Sequence, residues 1–272
     1  MKITEFSQIT DLANDSVLLV DGSTGTKKIL AMDAIEQMLG QISPQTHRMM
    51  YRGKSLGSSL TDAQKTAIAN GTFEDIFLGD YWTISGVTYR VADFDYFYRV
   101  GDTDFTKHHL VLVPDANMYS HVMNDTNTTE GGYVGSKMYL EGLTEAKTKI
   151  TAAFGDAVLT HRDYLTNAVS NGRPSGAAWL DSTVELMNEN MVYGTNVFSP
   201  HSDGASVPTV HTTGKNQFAL FQGVPHFAHN RQWFWLRDVV SSTYFARCNH
   251  GGHAGYLNAS GSFGVRPYFI IG

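Results

Sequence analysis

The chain closes with four short runs of aromatic and branched apolar residues, which lie at 218–221, 233–240, 243–248 and 264–272. Each run has the length of a strand, and turn-forming residues separate one run from the next. Helical spacing of apolar residues is found earlier, at about 134–154 and about 181–193. This combination predicts an α+β fold with a mainly antiparallel sheet.

The middle of the chain predicts a capped helix followed by strands. Thr61 is the expected N-cap of a short helix, and Gly71 marks its end. The run 73–98 is rich in aromatic and β-branched residues and is interrupted at Gly79–Asp80 and at Ser85–Gly86. It therefore predicts two or three strands.

Residues 1–40 are predicted to form a separate segment. Two apolar runs around a Gly/Ser/Thr turn indicate a hairpin at 16–30, and a helix is expected from there to Gly40. A unit of this size is too small to bury a core alone, so we expect it to pack on a neighbour or on another subunit. Residues 41–48 are the expected linker, and 49–272 the main domain.

Composition excludes several classes of partner. The net charge is −6 and no block is rich in Lys and Arg, which disfavours nucleic-acid binding. No apolar stretch approaches the roughly 20 residues that span a bilayer, so no membrane insertion is expected. The polar N-terminus does not resemble a secretory signal, which predicts synthesis in a cytoplasm. The single cysteine excludes an internal disulfide.

The sequence "GKSLG" at 53–57 matches the G-x-S-x-G nucleophile elbow and makes Ser55 a candidate nucleophile. That mechanism requires a buried strand before the turn and a long helix after it. Only a short helix is predicted downstream, which favours an ordinary Gly/Ser loop.

Histidine and carboxylate clusters raise the alternative of a metal site. Two histidine pairs have x₂ spacing, and a polar tract offers carboxylates for calcium; these residues are His226, His229, His250, His253, Asp125 and Glu130. Two-ligand pairs without a third ligand at matched spacing are weak metal signals, and the tract lacks the EF-hand order. We therefore predict no metal and no cofactor.

Residues 241–263 have a composition typical of recognition surfaces. Of these residues, 14 are Ser, Tyr, Asn, His or Gly, and none is Lys, Asp or Glu. Tyr supplies rigid contact area, and the short polar side chains supply hydrogen bonds that can be rearranged. Because aromatic strands flank the tract, we expect a displayed surface on one contiguous face; a solvated loop is the alternative. The candidate ligand-binding residues are Tyr244, Arg247, Cys248, Asn249, His250, His253, Tyr256, Asn258, Ser260 and Ser262.

The sequences that flank this tract resemble a known family. "FWLRDVVSSTYFA" and "GVRPYFIIG" are similar to the C-terminal end of C-type-lectin-like domains in phage and prophage tail proteins. They also resemble the variable proteins of diversity-generating retroelements, of the major tropism determinant type. Three segments upstream resemble parts of phage structural proteins: "HHLVLVPD", "MNDTNTTEGGYVGSKM" and "ELMNENMVYG". The likeness covers roughly 47–272, and 1–40 resembles a small virion-attachment segment.

The resemblance implies an origin for the unusual tract. In such proteins a reverse transcriptase randomises adenines in a copied template, so that codons drift towards residues such as Asn, Ser, Tyr, His, Gly, Arg and Cys. Residues 247–262 would be one outcome of that process, with Cys248 a chance product. The variable surface would extend over about 241–262 and be held between constant strands.

The same fold occurs in formylglycine-generating enzymes, which resemble this chain in a terminal "GVRP"-like strand. Their chemistry uses paired cysteines, and here only Cys248 is present. The calcium signatures of classical lectins, E-P-N, Q-P-D and W-N-D, are also missing from the sequence. The resemblance thus implies a binding protein and not an enzyme.

The implied function is receptor binding at a phage tail tip, on the virion. The partners would be a host cell-surface receptor, either protein or glycan, and other tail or baseplate proteins. A homotrimer is expected, since several copies raise the effective affinity of a weak surface. The alternative is a structural baseplate or tail-fibre protein whose C-terminal tract packs against a neighbour. A hydrolase that uses Ser55 is the third hypothesis.

Overall fold

A computed structural model of the chain describes residues 17–22, 25–30, 43–200 and 216–272. The chain divides into two compact units, Met1–Ser43 and Pro44–Gly272. In the first unit, β1 (Val17–Gly22) and β2 (Gly25–Leu30) pair as an antiparallel hairpin. The predicted hairpin is confirmed, whereas the helix predicted up to Gly40 lies outside the described residues.

The second unit begins with a helix where a linker was expected. Helix α1 (Pro44–Met49) contains His47, which is buried with its Nδ1 2.8 Å from the carbonyl oxygen of Ile76. Arg48 pairs with the buried carboxylate of Asp93 at 2.5 Å. The linker prediction is therefore wrong from Pro44 onwards, because these side chains anchor the helix to the domain.

The rest of this unit consists of short strands and helices. The strands are β3 (Ser55–Gly57), β4 (Tyr81–Ile84), β5 (Val87–Phe94), β6 (Leu110–Pro114), β7 (Tyr119–Val122), β8 (His161–Ser170), β9 (Arg173–Ser182), β10 (Val184–Leu186), β11 (Phe234–Val239), β12 (Tyr244–Cys248), β13 (Ala254–Asn258), β14 (Ser262–Val265) and β15 (Pro267–Ile271). The helices are α2 (Asp62–Ala69), α3 (Thr144–Phe154), α4 (Glu189–Tyr193) and α5 (Ala219–Gly223).

Two larger sheets and one hairpin make up the β structure of this unit. The six-stranded sheet has the order β10-β15-β6-β5-β4-β3, and the five-stranded sheet has the order β13-β12-β11-β14-β7. Strands β8 and β9 form a separate antiparallel pair. Most neighbours are antiparallel, with parallel pairing at β3–β4 and β11–β14. The predicted α+β class with a mainly antiparallel sheet is confirmed.

Helix α2 follows the sequence prediction closely. The Thr61 hydroxyl accepts a hydrogen bond from the backbone of Gln64, and the Gln64 side chain accepts one from the backbone of Thr61. This reciprocal capping satisfies two backbone donors at the start of the helix. The turn at Ser85–Gly86 is also where the prediction placed it, and both residues have a positive φ.

Three helix and strand predictions are wrong. The helix expected at about 134–154 is α-helical only from Thr144, after a π-helical turn at Met138–Gly142. The helix expected at about 181–193 is helical only from Glu189, since Val184 and Leu186 are in a strand that pairs with β15. The strand expected at 218–221 is part of α5, which begins at Ala219.

The terminal run 264–272 is broken into two strands that belong to different sheets. Strand β14 pairs with β7, whereas β15 lies between β10 and β6 in the other sheet. The break is at Arg266, a buried residue whose guanidinium donates to the carbonyl oxygens of Pro114, Phe227 and Ala228. The chain therefore crosses between the two sheets immediately after the candidate surface.

Strand β11 is buried along its whole length. Its Phe234 and Leu236 belong to one hydrophobic cluster, and Trp235 and Val239 belong to the other. The two sets therefore lie on opposite faces of a core strand. Arg237, on the same strand, is buried and pairs with Asp163 on β8.

Candidate functional site

The candidate residues lie mainly on the hairpin formed by β12 and β13. Strand β12 pairs with β11 on one side and with β13 on the other, and β13 is the edge strand of the sheet. In this register Tyr244 is opposite Asn258, and Arg247 is opposite Gly255. The buried strand β11 thus supports the hairpin, whose outer strand is at the surface.

The turn between these strands is held by Asn249. Its side-chain oxygen accepts hydrogen bonds from the backbone N–H groups of Gly251 and His253, at 2.8 and 2.9 Å. Gly252 has a φ of +86°, and a Cβ atom there would lie 2.6 Å from the ring of His229. The turn therefore has a defined geometry, and Asn249 maintains it.

One face of the hairpin carries an aromatic group, which we call the tyrosine edge. It consists of Tyr244, Tyr256 and Phe198, with ring centroids 5.1 Å apart for each pair that includes Tyr256. Tyr256 and Phe198 are 42% and 43% exposed. Asn258, also exposed, is opposite Tyr244 on the same face.

A depression of about 360 Å³ also includes Phe198. Its other walls are the turn at Asn171–Gly172, together with Arg173, and the segment Val240–Ser242. The sequence did not single out Phe198 or the tip of the β8–β9 hairpin, because both are far from the variable tract along the chain.

The opposite face carries a second group, which we call the arginine cluster. It consists of Trp233, Arg247, His250 and Phe263. The Arg247 guanidinium lies 3.9 Å from the centroid of the Trp233 ring. The rings of His250 and Phe263 stack on the same indole, with centroid distances of 6.1 and 5.5 Å. The Trp233 Nε1–H donates to His250 Nδ1 at 2.8 Å.

The prediction that the candidate residues share one contiguous face is therefore wrong. Asn249 is half-buried, and the exposed candidates are His250, His253, Tyr256, Asn258, Ser260 and Ser262. However, successive residues of a strand point to opposite sides of the sheet. Tyr256 and Asn258 accordingly lie on the tyrosine edge, while His250 belongs to the arginine cluster.

Cys248 is not part of the exposed surface, which corrects its place among the candidate contacts. The residue is fully buried in the larger hydrophobic cluster, and its thiol donates weakly to the Asn249 carbonyl oxygen at 3.5 Å. Burial raises the pKa of this thiol. Cys248 and Ala246 lie on the same side of β12 as Tyr244, but both are covered by the larger hydrophobic cluster.

The last candidates lie beyond the hairpin. The Ser260 hydroxyl donates to the side-chain oxygen of Asn127 at 2.6 Å, and Ser262 is opposite Val122 in the β14–β7 pair. These contacts join the end of the tract to the polar segment that begins near Asn124. Asn127 was not predicted as a site residue, although its segment stood out in the sequence as a polar tract.

A cleft of about 410 Å³ adjoins the turn on the side of α5. The three turn residues Gly251, Gly252 and His253 form one wall. The others include Tyr193, Gln217, Phe221, His226 and His229. The His229 Nδ1 atom is buried without a hydrogen-bond partner. Three of the four x₂-spaced histidines therefore line one cleft, although within the described residues no three His, Cys, Asp or Glu side chains are placed to hold a metal ion.

A serine nucleophile and a calcium site both have little geometric support. Ser55 is exposed on the short edge strand β3, and no described histidine is hydrogen-bonded to its hydroxyl. The described part of the chain thus lacks the base that would activate a serine nucleophile at this position. Asp125, a candidate calcium ligand, pairs with Lys137 at 2.7 Å, and Glu130 is exposed.

A buried polar network lies away from the hairpin and connects several strands. Arg237 of β11 donates both guanidinium ends to Asp163 of β8 at 3.1 Å, and the Tyr268 hydroxyl of β15 also donates to Asp163. Burial would raise the pKa of Asp163, but Arg237 and the hydrogen bonds lower it to about 2. Glu185 of β10 accepts from the Tyr133 hydroxyl at 2.8 Å.

No protein-family model matches this chain, and comparisons with curated proteins and with solved structures find no match. None of the helices in the described residues is long and apolar enough to cross a membrane.

Proposed function

We propose that this chain is a receptor-binding protein of a phage tail tip, with a C-type-lectin-like domain that recognises its ligand through the β12–β13 hairpin. One observation carries the proposal. Short polar and aromatic side chains are exposed on a hairpin that the fully buried strand β11 supports. A supported, exposed tract of this composition is suited to adaptable recognition.

The hairpin also suits diversification by a retroelement, which is part of the proposal. Strands β12 and β13 pair through backbone hydrogen bonds, which do not depend on side-chain identity. Outward-facing residues such as Tyr256, Asn258 and His250 can therefore vary without loss of the pairing. Cys248 and Asn249 would be exceptions, because one is buried in the core and the other holds the turn.

A structural baseplate or fibre protein is the second candidate. Tyr256 and Phe198 form an exposed apolar contact beside the half-buried Tyr244. Exposed apolar patches often mark surfaces that a neighbouring protein covers. Under this alternative the tyrosine edge would be buried in the assembled tail and would not contact the host.

Binding of the full-length protein to host cells tests the first candidate. We expect fluorescently labelled protein to bind a susceptible bacterial strain, and Tyr256→Ala to weaken that binding by about tenfold, as for an aromatic anchor. Tyr51→Ala is a matched control, since Tyr51 is 46% exposed and lies outside the hairpin. Equal loss in both variants, or no loss in Tyr256→Ala, would contradict the proposal.

The genomic locus provides an independent test of diversification. We expect a near-repeat of the last coding segment beside a reverse-transcriptase gene, with differences concentrated at adenines. A locus without either feature rejects the retroelement, while the binding role is still tested by the cell assay.

A further inference from the structure

Arg247 differs from the other arginines that are buried or half-buried in the described part of the chain. Each of the others donates to a carboxylate or to carbonyl oxygens; they are Arg48, Arg52, Arg90, Arg162, Arg237 and Arg266. In Arg247, the Nε and Nη1 atoms are buried and have no hydrogen-bond partner. Burial removes water from this guanidinium, which is unfavourable, and no anion among the described residues offsets that loss of hydration.

The position of this guanidinium is fixed from both sides. The Trp233 ring lies 3.9 Å from it on one side. On the other side is Gly255, where an added Cβ atom would be 3.1 Å from the Arg247 Cζ atom. Burial lowers the pKa of Arg247, and none of the described carboxylates is among the causes of this shift. Stacking on an aromatic ring holds the fork of donors in one orientation.

His250 supplies a second donor at the same indole. Its Nδ1 accepts the hydrogen bond from Trp233 Nε1–H, so the neutral ring carries its proton on Nε2. His250 is exposed, which leaves this Nε2–H available to a ligand. The arginine cluster therefore combines a cation that has no counter-ion among the described residues with a neutral donor whose tautomer is fixed.

We propose that the arginine cluster is a binding site for the carboxylate of an acidic sugar. Arg247 donates to the carboxylate from Nη2, the guanidinium nitrogen that is not buried, and His250 donates to a neighbouring ligand oxygen. The site deepens the function proposed above, because it assigns a ligand class to one face of the same hairpin, and it rests on that function only for its biological role.

The charge of the site favours a carboxylate over a phosphate. A carboxylate carries a single negative charge, which one guanidinium can balance. A phosphate dianion calls for more positive charge, and residues 241–263 contain no lysine.

The surroundings favour a sugar over an acidic protein. Binding of a protein surface usually relies on a large apolar anchor that becomes buried at the centre of the interface. In the arginine cluster, Trp233 and Phe263 are only half-buried and already packed against each other. The exposed aromatic rings of the hairpin, Tyr256 and its neighbour Phe198, lie on the tyrosine edge.

Titration of the full-length protein with small acids tests this site without host cells. The probes are D-glucuronate and N-acetylneuraminate, with neutral D-glucose as the reference. Tryptophan fluorescence follows binding, because Trp233 is in contact with the guanidinium, and calorimetry provides a second readout. We expect saturable binding of at least one sugar acid and none of glucose.

Three variants define the expected pattern. Arg247→Gln should raise the Kd for the sugar acid by about tenfold or more, since it removes the cation and its charge-assisted hydrogen bond to the carboxylate. Arg247→Lys keeps the charge but loses the planar fork and should give a smaller increase. The exposed Arg231 provides the matched control, and Arg231→Gln should leave the Kd unchanged. Thermal melting confirms that each variant is folded.

Several results would overturn the site. These are the absence of saturable binding by any sugar acid, an unchanged Kd in Arg247→Gln, or tighter binding of inorganic phosphate or of an N-acetylated, C-amidated glutamate. If host-cell binding still depends on Tyr256 while the titration fails, only the sugar-acid site is refuted. If both fail, the proposed function is refuted with it.

Discussion

At the scale of single residues, neighbours in β12 have opposite environments. Arg247 reaches the arginine cluster, whereas the next residue, Cys248, is fully buried. Composition alone indicated that the tract is exposed, but it could not separate these two residues. Their assignment depends on the register of the strand, and a shift by one residue would exchange the two faces.

The same distinction predicts how stability responds to truncation. Tyr256→Ala should change the free energy of unfolding by no more than roughly 0.5 kcal/mol, as is usual for an exposed position. Trp235→Ala should cost about 3–5 kcal/mol, because the ring is fully buried and the smaller side chain leaves a cavity. Chemical denaturation of both variants measures the difference. Similar losses would mean that Tyr256 is part of the scaffold.

At the scale of elements, the turn 249–253 connects strands β12 and β13. Its geometry depends on the Asn249 side chain, which accepts from two backbone donors. Asn249→Ala should therefore lower the free energy of unfolding by about 1 kcal/mol, the typical worth of such hydrogen bonds. Asn249→Asp retains the acceptor and should lose less. Equal melting temperatures for the wild type and Asn249→Ala would show that the turn does not need this side chain.

The sequence predicted elements well where a local signal exists. The α2 cap at Thr61 and the turn at Ser85–Gly86 are examples, because each depends on residues close together in the chain. The predictions failed where contacts between distant parts of the chain determine the local structure. Val184 is in a strand because β15 pairs with it, and the break at Arg266 exists because distant carbonyl oxygens bind its guanidinium. No local pattern carries such information.

The candidate site shows the same limit. The tract 241–262 was found from composition, but its division into two faces was not. Phe198 and Asn127 reach the site through the fold, from segments that are distant along the chain. Trp233 was not among the candidates, since an aromatic residue in an apolar run gives no sign that it will contact a half-buried arginine.

At the scale of the whole molecule, the buried polar network joins the two larger sheets and the β8–β9 hairpin. Its members come from β8, β10, β11 and β15, and from the segment that contains Tyr133. Because its members are buried, a change in the charge of any one of them should change the stability of the packing between these elements. Glu185 is its most informative member, since burial and the nearby charge of Asp163 raise its pKa from 4.5 to about 7.

The raised pKa of Glu185 predicts a loss of stability as the pH rises. Between pH 4.5 and 7 the unfolded chain releases the Glu185 proton while the folded protein retains it. The free energy of unfolding contributed by this group should thus decrease across the interval, by on the order of 3 kcal/mol. Urea denaturation at several pH values measures this slope.

Glu185→Gln should remove most of that slope, because the amide is neutral at every pH in the interval. Glu145→Gln is the control, since Glu145 is an exposed residue of α3 and should leave the slope intact. The interpretation fails if the wild type shows no decrease between about pH 5 and 7, or if both variants show the same slope.

The division into two units leads to the last prediction, a homotrimer assembled through Met1–Ser43. A two-stranded hairpin is marginally stable alone, and a unit of this length buries too little surface to fold without partners. Identical copies are the partners always present, and a trimer would bring several weak binding surfaces together. Light scattering should give a mass near three times 30.0 kDa. A monomer at micromolar concentration rejects the trimer. Deleting 1–43 should yield monomers; if trimers persist, the contacts lie in Pro44–Gly272, and the first unit has another role.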